Sequence, residues 1–222
     1  MRDRVLMAAC FSLLLLIVMS APLAAAPRQH AILLGRWRTV HLTGETASAE
    51  NATARIRELM IDGRLREYTF GPLHEVTDRL FVIRRVERLN DSLPQDGQKS
   101  RWVWQLGGWM SVDRQNGHVA QLTLPAFDPV ISRANWYRDY VAYCGSSDDG
   151  ARLYTVVFQL GKRKPLLKKE VTGSTTDCAV PKWERNPSRV TFVVGGAKSS
   201  FVVRARGAEL QSEINTEEEG PQ

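Results

Sequence analysis

The stretch LYTVVFQL at residues 153–160 decides the fold. Its side chains separate into two rows, Tyr154, Val156, Phe158 and Leu160 on one side and Leu153, Thr155, Val157 and Gln159 on the other. A period of two is characteristic of a β-strand, because successive side chains point to opposite faces. Asp149-Gly150, just before this stretch, suits the positive φ of a tight hairpin turn. We therefore predict a strand that follows a hairpin.

Similar alternation recurs along the chain, at residues 81–85, 102–106, 118–124, 189–194 and 201–205. Turn-forming dipeptides separate these runs at short intervals, namely Asp62-Gly63, Gly107-Gly108, Asn116-Gly117 and Gly195-Gly196. Many short strands with regular turns are typical of an all-β protein. We predict an antiparallel sandwich, barrel or propeller-like meander with at most one or two short helices. In this interpretation Gly107-Gly108 forms a turn between two strands.

Two segments also show helical features. Ile56, Leu59 and Met60 have the i, i+3, i+4 spacing of a helix, but the Asp62-Gly63 turn that follows favours a strand. Residues 128–138 begin with Asp128 and Pro129, an N-cap residue followed by proline. That order is typical of a helix start, so we predict one short helix there.

The N-terminus has the three parts of a secretory signal peptide. Arg2 and Arg4 precede an apolar run at residues 5–19, and small residues follow up to Ala26. The run is shorter than the roughly 20 residues that a membrane-spanning helix needs. We predict a signal peptide at residues 1–25, cleavage after Ala25, and a periplasmic or secreted protein without a transmembrane segment after cleavage. An uncleaved anchor is the alternative.

We assign residues 26–207 to a single β-rich domain, with a loop at residues 90–100 as the one candidate break. Residues 208–222 contain five glutamates and no lysine or arginine, namely Glu209, Glu213, Glu217, Glu218 and Glu219. Such an acidic segment with few apolar residues predicts a disordered tail.

Export decides how the cysteines are interpreted. Cys10 belongs to the signal peptide, so Cys144 and Cys178 remain. In an oxidising compartment they can form one intramolecular bridge, which we predict. The four histidines lack the spacing of a zinc site, and we expect neither a metal nor a cofactor.

The chain is basic, with 30 Lys and Arg against 24 Asp and Glu and a formal net charge of +6. Because the tail is acidic, the predicted domain is more basic than the whole chain. A basic surface attracts anions. The partners we expect are an anionic envelope surface, a glycan or another exported protein, and not nucleic acid.

The sharpest basic feature is the segment KRKPLLKK at residues 162–169. It is a candidate contact with an anionic surface through Lys162, Arg163, Lys164, Lys168 and Lys169. The alternative is a hydrated turn.

The densest aromatic cluster lies at residues 135–144. Trp136, Tyr137, Arg138, Asp139 and Tyr140 combine flat rings with charged groups, as sugar-binding sites do. We treat them as candidate ligand-binding residues. Packing of the rings into the core is the alternative, because aromatic side chains bury large areas.

Several segments together resemble exported bacterial β-rich proteins of unassigned function. They are residues 136–140 and 142–145, the Asp148-Asp149-Gly150 turn, and residues 159–165. The resemblance covers roughly residues 102–194. It implies export and a β-rich fold, and it transfers no catalytic residue.

No serine-nucleophile or zinc-protease motif occurs in the predicted domain. We therefore favour a non-enzymatic exported β domain that binds an anionic envelope component or a partner protein. A glycan-binding module is the first alternative. A hydrolase with dispersed catalytic residues is the second, and its candidates are His74, His118, Asp128 and Asp139.

Overall fold

The computed structural model describes residues 30–43, 53–92, 100–204 and 207–211. Nearly all regular structure in these ranges is β-strand, and their one helical element is the short 3₁₀ turn Thr175–Asp177. The strands are β1 (Ile32–Leu34), β2 (Arg38–His41), β3 (Thr53–Ile61), β4 (Arg64–Glu75), β5 (Leu80–Asn90), β6 (Trp102–Asp113), β7 (Val119–Gln121), β8 (Asn135–Tyr137), β9 (Tyr140–Ser146), β10 (Leu153–Gln159), β11 (Leu167–Val171), β12 (Lys182–Glu184), β13 (Arg189–Val194), β14 (Ala197–Arg204) and β15 (Gly207–Gln211).

The strands form three antiparallel sheets. The first sheet has the order β1-β3-β4-β5-β6-β7, and β2 also pairs with β3. The middle sheet has the order β11-β10-β9-β8, and the outer sheet has the order β12-β13-β14-β15. Neighbouring strands are mostly consecutive in sequence, as expected when hairpin turns make the connections.

The first sheet is rolled. Its register shifts between Leu59 and Met60, between Phe70 and His74, and between Arg84 and Val86. Bulges of this kind bend a strand and increase its twist. One face consequently encloses two apolar clusters, one around Leu59, Phe81, Ile83, Met110 and Val112 and another around Ala54, Ile56 and Val86. An isolated bridge joins Leu42, just after β2, to Trp104 of β6, but the ladder of hydrogen bonds does not close.

The middle sheet lies between the other two. Tyr154, Val156 and Phe158 of β10 pack towards Val82 and Trp109 of the first sheet. Leu153 and Val157 pack instead against the outer sheet, in a cluster that also contains Val190, Phe192, Val194, Phe201 and Val203. Burial on both faces explains why both rows of residues 153–160 are largely apolar.

A disulfide joins the middle and outer layers, as the sequence predicts. It connects Cys144 of β9 to Cys178, and their Cα atoms are 6.4 Å apart. Cys178 is itself bridged to Val194 of β13. Both cysteines belong to the apolar cluster between the two sheets.

The structure confirms the all-β, antiparallel prediction and the strand at residues 56–61. The turn predicted at Gly107-Gly108 is wrong, because β6 runs through both residues without interruption. A Cβ at Gly107 would lie 3.2 Å from Glu87 Oε1 and 3.3 Å from Arg85 Cβ, so the small residue allows the close approach of β5.

The helix predicted at residues 128–138 is also wrong. Asp128 Oδ1 accepts hydrogen bonds from the backbone N–H groups of Val130 and Ile131, so the residue does act as a cap. The chain completes a single turn and then enters β8, which pairs with β9. The pairing of β8 with β9 and the burial of Trp136 favour a strand over a helix at residues 135–137.

Other predictions fall partly or wholly on residues that are not described. The signal peptide at residues 1–25 lies outside the described ranges, as do residues 93–99 of the candidate break. On either side of that break β5 and β6 pair as far as Asn90 and Trp102, so the loop connects a hairpin. The acidic tail was predicted to begin at residue 208, whereas β15 extends to Gln211, and residues 212–222 lie outside the described ranges. Within those ranges there is no helix long and apolar enough to cross a bilayer.

Candidate functional site

The predicted aromatic cluster is divided between the core and the surface. Trp136 is buried between the first and middle sheets, where its ring lies 5.4 Å from that of Trp109 and 5.9 Å from that of His74. His74 Nε2 is also 2.7 Å from the carbonyl oxygen of Arg138. Trp136 therefore fills the layer between the sheets.

The remaining members of the cluster help to close one edge of the sandwich. Tyr137 stacks on Trp183 of β12 at 5.5 Å, and Tyr140 lies 6.3 Å from the same ring. Trp183 Nε1 donates a hydrogen bond to the carbonyl oxygen of Asn135, which joins β12 to β8. Asp139 accepts a hydrogen bond from Gln159. Arg138 is exposed beside Tyr137, and a ligand at these residues stays a prediction.

The five cations of the KRKPLLKK segment do not share one face. Lys162, Arg163 and Lys164 are exposed on the connection between β10 and β11. Lys168 and Lys169 alternate along β11, so that Lys168 Nζ lies 4.3 Å from the Tyr154 ring and Lys169 Nζ lies 6.0 Å from the Phe201 ring. Three cations at the turn are thus available together for an anionic surface, a contact that stays a prediction.

The candidates for a hydrolase do not form one site. Asp128 caps a turn, and Asp139 accepts a hydrogen bond from the side chain of Gln159. His74 Nε2 lies within hydrogen-bond distance of the Arg138 carbonyl oxygen. His118 is exposed just after the turn between β6 and β7. No hydrogen bond in the described part of the chain joins any two of these side chains, and no group of three His, Cys, Asp or Glu residues there could hold a metal ion.

A better-formed site lies where β3 and β4 separate. Their ladder ends at the pair Ile56 and Phe70, beyond which Thr53–Arg55 pair with β2 only. On the other side, β4 bulges at Gly71, which has a φ of +71°, and resumes pairing with β5 at His74. Glycine adopts this φ readily. The divergence of the two strands opens a cleft between them.

The walls of this cleft are mainly apolar. It has a volume of about 430 Å³ and is lined by Trp37, Arg55, Arg57, Phe70, Gly71, Pro72 and Leu73. Trp37, in the connection between β1 and β2, keeps 39% of its surface exposed. An exposed indole beside an apolar cleft is a favourable contact for a ligand, because it combines a large flat surface with little conformational entropy to lose.

Two guanidinium groups lie beside the indole. The guanidinium carbon of Arg57 is 4.3 Å from the centroid of the Trp37 ring, and that of Arg55 is 5.5 Å away. Arg55 and Arg57 lie on the same face of β3, since they are two residues apart in a strand. Cation–π contacts of this kind orient the guanidinium groups without neutralising their charge.

The partly buried guanidinium of Arg57 makes the cleft attractive to an anion. Partial burial lowers the pKa of the Arg57 guanidinium, and its buried Nε has no hydrogen-bond partner among the described residues. Within the described ranges neither Arg55 nor Arg57 forms an ion pair. Arg85 on the same sheet differs, because it is paired with Glu67 and Glu87 at 2.9 and 3.0 Å. A ligand anion would supply the acceptor that Arg57 lacks.

A second depression, of about 410 Å³, lies at the turn between β9 and β10. It is lined by Ala126, Ser146, Ser147, Asp148, Asp149, Arg152, Tyr154 and Lys168. Hydrogen bonds from Ser147 and from the N–H of Ala151 hold the pKa of the Asp149 carboxyl below its usual range. Two carboxylates and two cations line the same depression, so it shows no preference for one sign of charge.

Sequence reasoning missed the cleft between β3 and β4. The alternation of Arg55 and Arg57 around Ile56 places both arginines on one face of a strand, which was the available signal. Trp37 and Gly71–Leu73 come from distant segments, and nothing in their local sequence connects them to β3.

Comparison with known proteins adds no relative. No family model, no curated protein and no solved structure matches the chain.

Proposed function

We propose that this protein is an exported, non-enzymatic β domain that binds an anionic amphiphile of the cell envelope in the cleft between β3 and β4. The observation that carries the proposal is the pairing of apolar walls with two guanidinium groups that have no carboxylate partner among the described residues. A ligand that has both an apolar body and an anionic group complements both features.

The apolar body would contact Trp37, Phe70 and Leu73, which line the cleft. A volume of about 430 Å³ is within the range of small-ligand pockets and accommodates part of an acyl chain or a compact ring system. Removal of this apolar surface from water would supply much of the binding free energy.

The anionic group would accept hydrogen bonds from Arg57 and Arg55. A guanidinium presents two parallel N–H groups to a carboxylate or phosphate, and such charge-assisted bonds are about twice as strong as neutral ones. The partial burial that lowers the pKa of Arg57 also reduces screening by water, which strengthens its attraction to an anion.

Binding rather than turnover fits the chemistry of these side chains. Among the described residues that line the cleft, the ionisable side chains are two arginines, and a guanidinium group is a poor general base.

Export is part of the proposal. Disulfides such as Cys144–Cys178 persist mainly in oxidising compartments. The full sequence carries a formal net charge of +6, and such an excess of basic residues draws an exported protein towards anionic lipid and glycan surfaces.

The test is a titration of the protein with dodecyl phosphate below its micellar concentration, followed by calorimetry. We expect saturable binding that is weaker for the uncharged dodecyl maltoside. Loss of a hydrogen bond to a charged group costs about 1.5–3 kcal/mol, so Arg57→Ala should weaken binding of dodecyl phosphate roughly 10- to 150-fold. Trp37→Ala should weaken it as well, and Trp37→Phe less, because phenylalanine keeps an aromatic face.

Arg66→Ala is the matched control, since Arg66 is an exposed arginine of β4 that does not line the cleft. It removes the same charge, so its affinity should stay within about twofold of the original protein if binding occurs in the cleft. Equal weakening by Arg57→Ala and Arg66→Ala, or no binding of dodecyl phosphate, would contradict the proposal.

A further inference from the structure

A second group of cationic and aromatic side chains, from β2, β4, β5 and β6, lies on the other face of the first sheet. Arg38 of β2 pairs with Ile56, whose side chain points into the rolled sheet, whereas Arg55 and Arg57 lie on the opposite face. The group comprises Tyr68, Trp104 and Trp102 with the guanidinium groups of Arg38 and Arg88. We call it the cation–aromatic array. None of its five residues lines the cleft.

Rings and guanidinium groups alternate in this array. The guanidinium carbon of Arg38 is 4.6 Å from the Tyr68 ring and 5.2 Å from the Trp104 ring. That of Arg88 is 5.8 Å from the Trp104 ring and 5.0 Å from the Trp102 ring. Tyr68 and Trp104 also touch edge to face at 4.9 Å. Each guanidinium group is therefore held by two rings, and these contacts limit the conformations of the Arg38 and Arg88 side chains.

Strand pairing fixes the order of the array. Arg88 is directly opposite Trp104 across β5 and β6, and Asn90 is opposite Trp102. Trp102 and Trp104 lie on the same face of β6 because they are two residues apart. Thr43 donates a backbone hydrogen bond to the carbonyl oxygen of Trp104, which anchors the centre of the array to the end of β2.

The outer end of the array is open. Trp102 keeps 53% of its surface exposed, and Arg88 is exposed beside it. Arg38 Nη1 lies 3.9 Å from Glu58 Oε1, whereas Arg88 forms no ion pair within the described ranges. An indole surface and a cation thus face solvent side by side, already held in place by the strand pairing.

We propose that the cation–aromatic array binds an acidic polysaccharide, with one sugar ring stacked on Trp102 and a uronate carboxylate paired with Arg88. The C–H face of a sugar ring is flat, apolar and slightly positive, so it complements the electron-rich face of an indole. A carboxylate fits the planar fork of a guanidinium. Binding would need little reorganisation, because Trp104 and the β5–β6 pairing already hold Arg88.

Single-stranded nucleic acid is the competing occupant. Such ligands stack successive bases on successive open rings. In this array Trp104 lies between the guanidinium groups of Arg38 and Arg88 and against the edge of Tyr68. Trp102 alone offers an open indole face among these rings, which suits one sugar ring and an adjacent charge.

The experiment is a calorimetric titration of the full chain with oligogalacturonate, with neutral malto-oligosaccharide and oligo(dT) in parallel. We expect saturable binding of oligogalacturonate, weaker at higher salt, and at least about tenfold weaker binding of the other two ligands. Trp102→Ala and Arg88→Ala should each reduce the affinity for oligogalacturonate about tenfold or more. Arg88→Lys should recover part of the loss, because it restores the charge without the planar fork.

Two matched variants serve as controls. Leu89→Ala truncates a different exposed apolar side chain, which lies on β5 and on the opposite face from Arg88. Arg101→Ala removes a neighbouring exposed cation, whose Nε lies 3.6 Å from Asp91 Oδ2. Both should bind oligogalacturonate within about twofold of the original protein, and urea midpoints identify any variant that has lost stability. Absence of binding, equal losses in the controls, or tighter binding of oligo(dT) would overturn the proposal.

Discussion

The guanidinium of Arg84, buried in β5, donates a hydrogen bond to the carbonyl oxygen of Pro129 in the connection between β7 and β8. Arg84 Nε also lies 3.4 Å from the carbonyl oxygen of Gly107. Burial lowers the pKa of Arg84 to about 10, and the charge of Asp128 opposes this shift. A buried cation thus joins the first sheet to the segment that leads into the middle sheet.

Replacement of Arg84 should show how much this contact stabilises the fold. Arg84→Ala leaves a cavity and removes the donor from the Pro129 carbonyl, so we expect a loss of about 2–4 kcal/mol in the free energy of unfolding. Arg84→Met fills most of the space and should lose less, since it also removes the cost of burying a charge. Urea denaturation measures both, and the exposed Arg64→Ala should stay within about 0.5 kcal/mol of the original protein. Equal stability of Arg84→Ala and Arg64→Ala would show that the contact is unimportant.

Gly145 of β9 is required for a close backbone approach. A Cβ atom at this position would lie 2.2 Å from the carbonyl oxygen of Ala126, which accepts a hydrogen bond from Ser146 N–H. Gly145→Ala should therefore destabilise the protein by about 3 kcal/mol or more.

Gly150→Ala is the comparison for this prediction. Gly150 has a φ of +70° but open space where a Cβ would lie, so the strain of a left-handed residue alone should cost about 1–2 kcal/mol. Thermal unfolding of both variants gives the measurement. A Gly145→Ala protein no less stable than Gly150→Ala would refute the close approach.

The disulfide should contribute substantially to stability. Cys144 and Cys178 are 34 residues apart, and the chain-entropy model assigns such a loop about 3–4 kcal/mol. The double variant Cys144→Ala, Cys178→Ala should lose an amount of this order in urea denaturation. Thiol titration of the unreduced, denatured full chain should find no more than the thiol of Cys10. A titre of three thiols would exclude the bridge.

Stability should fall in acid because of Asp113. Its carboxylate accepts hydrogen bonds from Arg79 Nε at 2.8 and 2.9 Å, and Arg79 together with the N–H groups of Gln115 and Asn116 lowers the pKa of Asp113 from 3.8 to about 2. Since the folded pKa lies below the ordinary value, this stabilisation is present above about pH 4 and is lost as the pH falls towards 2. The hydrogen bond from Arg114 lowers the pKa of Glu75 and acts in the same direction.

Urea denaturation between pH 2 and pH 7 tests the role of Asp113. In Asp113→Asn the fall in stability below about pH 4 should be shallower than in the original protein. Asp148→Asn, at an exposed turn, provides a control for the loss of one carboxylate elsewhere. An unchanged acid slope in Asp113→Asn would show that another group controls this pH range.

Much of the secondary structure could be predicted because its causes are local. The turns at Asp62-Gly63, Asn116-Gly117 and Gly195-Gly196 are hairpin turns, as their residue types indicate. Gly107-Gly108 has the same local signal, but the pairing partner decides its conformation. There β6 passes close to Arg85 and Glu87 of β5, so the glycines relieve crowding within a continuous strand.

The candidate sites were harder to predict from sequence. Trp136 has the residue type and the neighbours of a sugar-binding platform, yet it packs against Trp109 between two sheets. Trp37 and Trp102 have no such signal in their own segments. Trp37 lies beside arginines at the cleft, where β4 bulges at Gly71. Trp102 is the first residue of β6, and the guanidinium of Arg88 from β5 lies over its ring.

The sequence by itself determined the period-two strands, most of the hairpin turns and the pair of cysteines available for a bridge. These depend on backbone preferences and side-chain alternation within a few residues. The tertiary structure alone decided which strand passes through the middle layer, where β3 and β4 separate, and which arginines lie beside open indole rings. Those outcomes depend on register shifts and sheet curvature, which arise from contacts between strands that are far apart in the chain.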